Sequence, residues 1–449
     1  MGTDAGLEAQ IGQWRGYIQR RQAITAADVD EMEDHLREQV ADLAASGLDN
    51  EEAFLVAVKR IGSVDAISHE FAREHSDRLW KQLVLVSTAP DDAGERSWHE
   101  LAVVLGLAVG AGVAVKAGLA LIDDEMVLAR NLGLLVFPFL AAYFAWKRRL
   151  TWRVGVMLLV PAAVLAIVLN VYPFVPDGST LVLAAVHAPV VLWFLAGLAY
   201  VGGRWRSGNR RMDFVRFTGE LAIYYTLLAL GGSVLIGLTA GVLDLVGIDI
   251  EPFLEDWVLP FGAPGALVVA AWLVEAKQNV VENIAPVLTR VFTPITIVML
   301  LGLLVALTSA GGFVDVDRDL LILMDAILVL VLALLLYSIS ARDVLAPPDL
   351  FDRLQLVLVG AALAVDAVML SAMLARIAEF GFSPNKVAAL GLNLLLLVHL
   401  AWAAWLTGGF LRGRRPFAAL ERWQTAYLPV YGAWAAAVVV VFPLVFGFA

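Results

Sequence analysis

From His99 to the last residue, long apolar segments alternate with short polar connectors. Eleven apolar segments can be counted, at roughly 100–122, 131–146, 152–172, 180–202, 219–243, 257–275, 291–311, 319–340, 353–377, 384–408 and 427–447. An α-helix of ~20 apolar residues spans the ~30 Å hydrocarbon core of a bilayer. The pattern therefore predicts an all-α polytopic membrane helix bundle of about eleven spans, the second of which is unusually short.

The charges in the connectors predict the orientation of this bundle. If the N-terminus is cytoplasmic, 17 basic residues fall in the five cytoplasmic connectors and only 4 in the external connectors, which are acidic. Cytoplasmic loops of membrane proteins carry an excess of Lys and Arg. We therefore expect the N-terminus inside the cell and the C-terminus outside.

Three cytoplasmic connectors, Arg204–Arg216, Lys277–Arg290 and Arg412–Gln424, taken together mix basic with aromatic residues, which suggests contact with anionic headgroups of the lipid bilayer. They also offer a docking surface for an acidic domain, whereas the simplest interpretation is that they only anchor the topology. The arginines concerned are Arg204, Arg206, Arg210, Arg211, Arg412, Arg414 and Arg415.

The first 75 residues have a different pattern, in which apolar residues recur at helical spacing on otherwise polar segments. This predicts a small cytoplasmic helical domain over residues 1–75, a linker over 76–98 and a transmembrane domain over 99–449. Residues 1–98 contain 19 acidic and 10 basic residues, and so account for nine of the eleven net negative charges. No apolar signal segment opens the chain, which again favours a cytoplasmic N-terminus.

Three stretches of this N-terminal region carry a family resemblance: Asp30–Arg37 (DEMEDHLR), Gly47–Phe54 (GLDNEEAF) and Val58–Gly62 (VKRIG). Together they resemble the permease-prefix, or HAAS-type, helical domain that precedes multi-pass membrane regions in bacteria. The resemblance implies a bacterial inner-membrane protein whose prefix binds a cytoplasmic protein partner. Prefixes of this kind are best known ahead of exporter permeases with about four spans and a large external domain, and this chain departs from that arrangement.

Ionisable side chains inside the predicted spans are the main candidates for function, because charge in hydrocarbon is costly and usually marks a pathway or a buried pair. Asp366 falls near the midplane, with Asn393 and His399 at similar depth on the next span. This set suits proton or cation handling, and a structural hydrogen-bonded cluster is the alternative. Asp325, His187 and Lys116 fall near the outer surface, where pairing or contact with the interface is the alternative to a proton relay.

Proline and glycine supply a second signal. The sixth predicted span contains Pro260, Gly262, Pro264 and Gly265, which predicts either a broken helix of the kind that lines transporter sites or a simple kink. Glycines in the first span (Gly106, Gly110) and in the fifth (Gly231, Gly232, Gly237, Gly241) predict close helix packing, and a homo-oligomer is compatible with this pattern.

Several classes of function are disfavoured by the sequence. The chain has no cysteine and no G-x-x-x-x-G-K-[ST], H-E-x-x-H or G-x-S-x-G motif, so we expect no enzyme, no metal site and no cofactor. The acidic N-terminal domain argues against nucleic acid as a partner. The leading prediction is a permease-like protein that transports a small solute or ion, with a membrane signalling or sensor protein as the alternative.

Overall fold

The computed structural model describes residues 7–8, 10–12, 14–15, 26–46, 48–62, 90–276, 284–309, 318–344 and 346–449. These residues form helices and connectors and contain no strand. The helices are α1 (Ala26–Ala45), α2 (Asn50–Gly62), α3 (Pro90–Leu121), α4 (Glu125–Lys147), α5 (Trp152–Val171), α6 (Ser179–Tyr200), α7 (Gly208–Leu245), α8 (Glu251–Ala276), α9 (Ile284–Ser309), α10 (Arg318–Ser340), α11 (Leu350–Phe380), α12 (Pro384–Leu411), α13 (Phe417–Val440) and α14 (Phe442–Val445).

The chain divides into two compact units, Met1–Leu101 and Ala102–Ala449. The first has its own apolar core, in which Trp14, Leu36 and Phe54 are fully or almost fully buried. The last part of the predicted N-terminal domain, from residue 63, and most of the predicted linker lie outside the described residues. Residues 90–98, which the sequence assigned to the linker, are instead helical, because Pro90 suits the first position of a helix and three acidic residues follow it near the N-terminal end.

The second unit is a helix bundle with two main apolar cores. One lies among α9–α13 and is centred on fully buried residues such as Leu358, Val365 and Leu400. The other lies among α3, α4, α6, α7 and α8 around Phe144 and Phe217. Ten of the described helices are long and apolar enough to cross a bilayer. The predicted all-α polytopic fold is thereby confirmed.

The eleventh predicted span corresponds to α13 and α14, which do not reach the same hydropathy as the other ten. Polar and aromatic residues lower the apolar content of α13, and the helix is interrupted at Val441 just before Pro443. Even so, α13 traverses the bundle. The ring of its first residue, Phe417, lies against the Arg342 guanidinium at the end where α13 begins. At the other end, the carbonyls of Phe448 and Ala449 accept hydrogen bonds from the N–H groups of Val175 (3.0 Å), in the connector before α6, and of Thr180 (2.8 Å), in the first turn of α6.

Contacts between connectors define two ends of this bundle. The connectors 148–151, 201–207, 341–349 and 412–416 meet at one end, which we call the basic end, through contacts such as Arg148–Tyr200 and Arg342–Phe417. The connectors 122–124, 172–178, 246–250 and 381–383 belong to the opposite end, which we call the acidic end.

The second predicted span is a full-length helix, so the expectation of a short segment is wrong. α4 has 23 residues and begins at Glu125, where the Asp124 carboxylate accepts hydrogen bonds from the backbone of Met126 and Val127. The apolar segment that predicted this span begins only at residue 131, because charged residues occupy the first turns of the helix. Asp124 is an ordinary N-cap, and capping allows a helix to begin on polar residues.

Of the two alternatives predicted for Pro260–Gly265, the broken helix is wrong. Pro260, Gly262, Pro264 and Gly265 lie in one continuous helical segment, Leu259–Ala276. The irregularity is a π-helical turn one turn earlier, at Leu254–Val258, where the Leu259 N–H bonds to the Leu254 carbonyl. A wider turn before a proline relieves the clash of its ring with the preceding turn, so the helix continues without a break.

The glycine-rich part of α7 does not pack as predicted. A Cβ built on Gly231, Gly232, Gly237 or Gly241 meets no atom within 4 Å, and none of the residues in the most apolar stretch of α7 is buried in the described structure. On α3, Gly110 does lie close to another helix, since its Cβ would be 2.7 Å from Phe139, whereas Gly106 faces open space. Close packing through small residues therefore holds for α3 and not for α7.

Candidate proton- or cation-binding site

Asp366 on α11 is a fully enclosed ionisable residue of the predicted site. Its relative exposure is 0%, and neither carboxylate oxygen has a hydrogen-bond partner among the described residues. Its sequence neighbours Val365 and Met369 belong to the apolar core. An ionised carboxylate in such surroundings is very unfavourable unless it is neutralised. The position therefore demands a bound proton or a bound cation whenever the site is closed.

Asp325 on α10 supplies a second carboxylate. It is half-buried, and its Oδ1 accepts a hydrogen bond of 2.7 Å from the Asn393 amide of α12. The same amide nitrogen also donates to the Ala389 carbonyl at 2.8 Å. Asp325 lies close enough to Asp366 for electrostatic interaction. Two like charges in one apolar layer repel each other, which further favours uptake of a proton or a cation.

His399 belongs to a different part of the cluster, next to α13. Its Nδ1 lies 2.9 Å from the Tyr431 hydroxyl, and its ring packs on Tyr427 and Trp423. Its Nε2 atom and both amide atoms of Gln424 are buried and form no close hydrogen bond among the described residues, but the Gln424 side chain lies near enough to interact with the His399 ring. Buried polar groups in native proteins are nearly always paired. His399 and Gln424 are therefore each other's nearest polar partners on this side of the ring.

The structure thus divides the predicted constellation into two pairs, with Asp366 as a third component. Asn393 pairs with Asp325 and His399 pairs with Tyr431, while Asp366 lies within electrostatic range of both Asp325 and Tyr431. The sequence reasoning missed the contribution of α13. Its signal was present in Gln424, Tyr427 and Tyr431, which recur at positions i, i+3 and i+7 and share one helix face.

Lys116 and His187, predicted to share a layer with Asp325, have other partners. Lys116 forms an ion pair of 2.8 Å with Asp256 and lies over the Trp257 ring at the acidic end. It lines an open cleft of about 680 Å³. The His187 Nδ1–H donates to the Leu183 carbonyl of its own helix at 2.9 Å. These contacts agree with pairing near the membrane interface, which was the alternative to a proton relay for Lys116 and His187. Neither residue contacts Asp366.

The basic end contains two ion pairs in which the carboxylate is the more deeply buried partner. Arg148 donates to Glu275 at 2.8 Å, and the Glu275 side chain is only 3% exposed. Arg342 forms two 2.8 Å hydrogen bonds to Asp352. Its guanidinium also lies 4.8 and 4.4 Å from the ring centres of Phe410 and Phe417. It donates further hydrogen bonds to the carbonyls of Asp343, Ala346 and Pro347.

The predicted lipid-contact arginines are mostly exposed. Arg204 and Arg206 are exposed in the connector before α7, Arg210 is exposed in its first turn, and Arg211 is half-buried. Arg412, Arg414 and Arg415 are exposed between α12 and α13, and Arg415 lies 3.8 Å from the ring centre of Trp405. Their docking to the N-terminal domain stays a prediction.

The ligand set suits a proton better than a metal ion. Hard cations such as Ca²⁺ and Mg²⁺ take six or more oxygen ligands. The described residues contain no group of three or more His, Cys, Asp or Glu residues placed to hold a metal. Two carboxyls with an amide, an imidazole and a phenol are instead the groups found in proton relays.

Comparison of the chain with known protein families, with curated proteins and with solved structures gave no match. The fold alone therefore defines its class. The chain is a multi-pass helical membrane protein that encloses a carboxylate cluster.

Proposed function

We propose that this protein is a proton-coupled permease in which Asp366 carries the coupling proton. The observation that supports it most directly is the complete enclosure of the Asp366 carboxylate, without a hydrogen bond or a counter-charge at bonding distance in the described structure. Such a group has to take up a proton before it is closed off and has to release it where water is admitted.

The surrounding residues have distinct roles in this proposal. Asp325 is half-buried and hydrogen-bonded, so it connects the enclosed site to a less enclosed position on α10. Tyr431 and His399 supply exchangeable protons on the α13 side. Alternating access would open the cluster first toward one end of the bundle and then toward the other, as in other transporters with central sites.

Reconstitution of the full chain in liposomes with a trapped pH dye tests the proposal. Proton flux is measured under an imposed K⁺ diffusion potential, with candidate solutes screened in the external medium. Asp366→Asn should abolish any flux found, because the amide cannot bind and release a proton. Asp256→Asn is the matched control, since Asp256 is an exposed carboxylate at the acidic end and its loss should leave flux intact.

A measurement that needs no substrate complements the flux assay. Infrared difference spectroscopy of the full chain should show a protonated carboxyl band that disappears in Asp366→Asn. Flux that persists in Asp366→Asn, or a carboxyl band that this substitution leaves unchanged, would contradict the assignment of Asp366.

The orientation and the location are also proposals: a cytoplasmic N-terminus in a bacterial inner membrane. The positive-inside pattern and the resemblance of the N-terminal region support them. The natural absence of cysteine makes the test direct. In intact cells an impermeant maleimide should label Asp123→Cys at the acidic end and not Arg414→Cys at the basic end; the reverse result contradicts the orientation.

Signalling is a second candidate function, favoured by the N-terminal unit. This unit has its own buried core and an ion-pair network on its surface, as expected of a protein-binding module. Crosslinking of the full chain in native membranes, compared with a variant lacking residues 1–75, tests it. Loss of one defined cytoplasmic partner in the deletion variant supports signalling, and identical crosslinks in both proteins contradict it.

A further inference from the structure

The last turns of α12 present tryptophan side chains to the outside of the bundle. Trp402 and Trp405 are 47% and 49% exposed, and they share one helix face with Gly409, because the three positions are separated by three and four residues. Leu394 and Val398 continue this face toward the middle of the span and are exposed as well. α12 therefore has a continuous lipid-facing surface that is aliphatic in its middle and aromatic near the basic end.

An arginine from the following connector lies over this surface. The chain turns at Gly413, just after the end of α12, where a φ of +67° permits the change of direction. The Arg414 N–H then bonds to the Gly409 carbonyl at 2.9 Å. Arg415 consequently runs back along α12, and its guanidinium lies 3.8 Å from the ring centre of Trp405.

Gly409 makes this return path possible. A Cβ built on Gly409 would lie 2.9 Å from Cδ and 3.2 Å from Cγ of Arg415, so the aliphatic part of the arginine packs directly on the helix backbone. A side chain at position 409 would push the arginine away from α12 and off the Trp405 ring. The glycine therefore holds a guanidinium in a fixed place on the lipid-facing surface.

The depth of this guanidinium matches the level of lipid phosphates. α12 has 28 residues and is therefore about 42 Å long, close to the thickness of a bilayer with its headgroups. Trp405 lies six residues before the last residue of the helix, Leu411, which corresponds to about 9 Å. This places its ring, and the guanidinium on it, where the headgroup layer meets the hydrocarbon.

The positive charge of Arg415 is available to a ligand. The Trp405 ring is its only described electrostatic contact, and no described carboxylate pairs with it. Stacking on an aromatic ring leaves the N–H edge of a guanidinium able to form two parallel hydrogen bonds with phosphate oxygens. A zwitterionic headgroup brings a cation of its own, which an arginine without a paired carboxylate repels. The chemistry therefore favours a lipid with a net negative charge.

We propose that this face of α12 is a binding site for an anionic phospholipid of the phosphatidylglycerol type. The Arg415 guanidinium binds the phosphate, and the rings of Trp405 and Trp402 lie at the level of the glycerol and the ester groups. The acyl chains lie along Val398 and Leu394. This inference goes beyond the proposed transport function and does not depend on it.

Native mass spectrometry of the full chain in detergent, titrated with phosphatidylglycerol or with phosphatidylcholine, tests this site. Phosphatidylglycerol should bind on the order of tenfold more tightly than phosphatidylcholine, and Arg415→Gln should remove this preference. Gly409→Ala retains every charge but displaces Arg415 from Trp405, so it should also weaken phosphatidylglycerol. Arg414→Gln is the matched control, since it removes the same charge from an exposed neighbour outside the site and should change neither affinity.

The outcomes separate a built site from general attraction. Equal weakening by Arg415→Gln and Arg414→Gln, or unchanged affinity in Gly409→Ala, would mean that the basic end attracts anions without a defined site, and would overturn the proposal. Glycerophosphoglycerol, which has the same headgroup without acyl chains, should bind much more weakly than the lipid; equal binding would overturn the lipid assignment. Unchanged thermal unfolding of Gly409→Ala and Arg415→Gln verifies that both variants are folded.

Discussion

The Asn393 amide donates a hydrogen bond of 2.7 Å to the Asp325 carboxylate and so joins α12 to α10 inside the apolar layer of the bundle. Asn393 itself is completely buried. An interhelical hydrogen bond in this position fixes the relative height of two spans, and it gives Asp325 a partner that Asp366 lacks.

Removal of this partner should destabilise the bundle. We expect Asn393→Leu to lower the stability by about 1 kcal/mol, because interhelical hydrogen bonds in membranes have this magnitude and Asp325 loses its donor. Denaturant unfolding in bicelles provides the measurement. The double variant Asn393→Leu/Asp325→Leu should be more stable than the sum of the single effects predicts; strict additivity would show that the two side chains are not coupled.

Close packing of α3 on α8 gives a second prediction. A Cβ on Gly112 would lie 2.4 Å from the ring of Phe261 and 2.9 Å from its Cα, so Gly112→Ala has to push the two helices apart. We expect a loss of about 1–3 kcal/mol in unfolding free energy, as for other overpacked positions. Gly106→Ala on the same helix meets no atom within 4 Å and should be neutral or slightly stabilising.

Arg342 should not tolerate lysine. Its guanidinium bonds to both oxygens of Asp352 while it lies between the rings of Phe410 and Phe417. An ammonium group reproduces neither the fork nor the stacking. Arg342→Lys should therefore lower the unfolding free energy by about 2–3 kcal/mol, whereas the exposed Arg414→Lys should have no measurable effect. Equal thermal unfolding of the two variants would contradict this role of Arg342.

The N-terminal unit should lose stability in acid. Burial alone would raise the pKa of Glu33, but its hydrogen bonds and charge interactions with Arg37 and Arg15 outweigh that effect and lower the pKa. The pKa of Glu8 is lowered as well, mainly by its hydrogen bond to Arg37. A pKa that is lower in the folded state stabilises the fold above the unfolded value of about 4.3. This stability is lost as the pH falls through the folded value.

Hydrogen exchange of the peptides that cover residues 7–58, corrected for intrinsic rates, measures this loss in the full chain. Protection should fall below about pH 4 in the unmodified protein. Glu33→Gln should be less protected near neutral pH and should show a smaller further loss in acid. An identical pH profile in both proteins would exclude Glu33 as the source.

The sequence predicted the architecture well because the span signal depends only on local apolar content. It placed five of the eleven spans within three residues of a helix at both ends, and it began the other six at least six residues too late, where polar residues belong to a helix. Glu125 and Arg130 hid the first turns of α4. Pro260 and Pro264 indicated a break that the π-turn at Leu254–Val258 absorbs. Such compensation depends on backbone adjustment, which residue types alone do not reveal.

The candidate site was only partly predictable. The depth of a residue in the membrane can be estimated by counting positions along its predicted span. Asp366, Asn393 and His399, which this count placed at similar depth, are all fully buried in the structure. Which helices face each other cannot be counted in the same way. The pairing of Asn393 with Asp325, and of His399 with Tyr431, depends on the rotation of α10 and α13 about their axes. An amphipathic pattern fixes that rotation weakly in helices that are apolar on every side.

The composition of α13 has consequences for how the chain is inserted into the membrane during synthesis. A segment that carries Gln424, Tyr427 and Tyr431 partitions into lipid less readily than its neighbours. Two of its polar groups bond to α12, since Trp423 and Tyr427 donate to the carbonyls of His399 and Leu395 at 3.1 Å. α13 should therefore leave the translocon together with α12, as a helical hairpin whose second arm depends on the first.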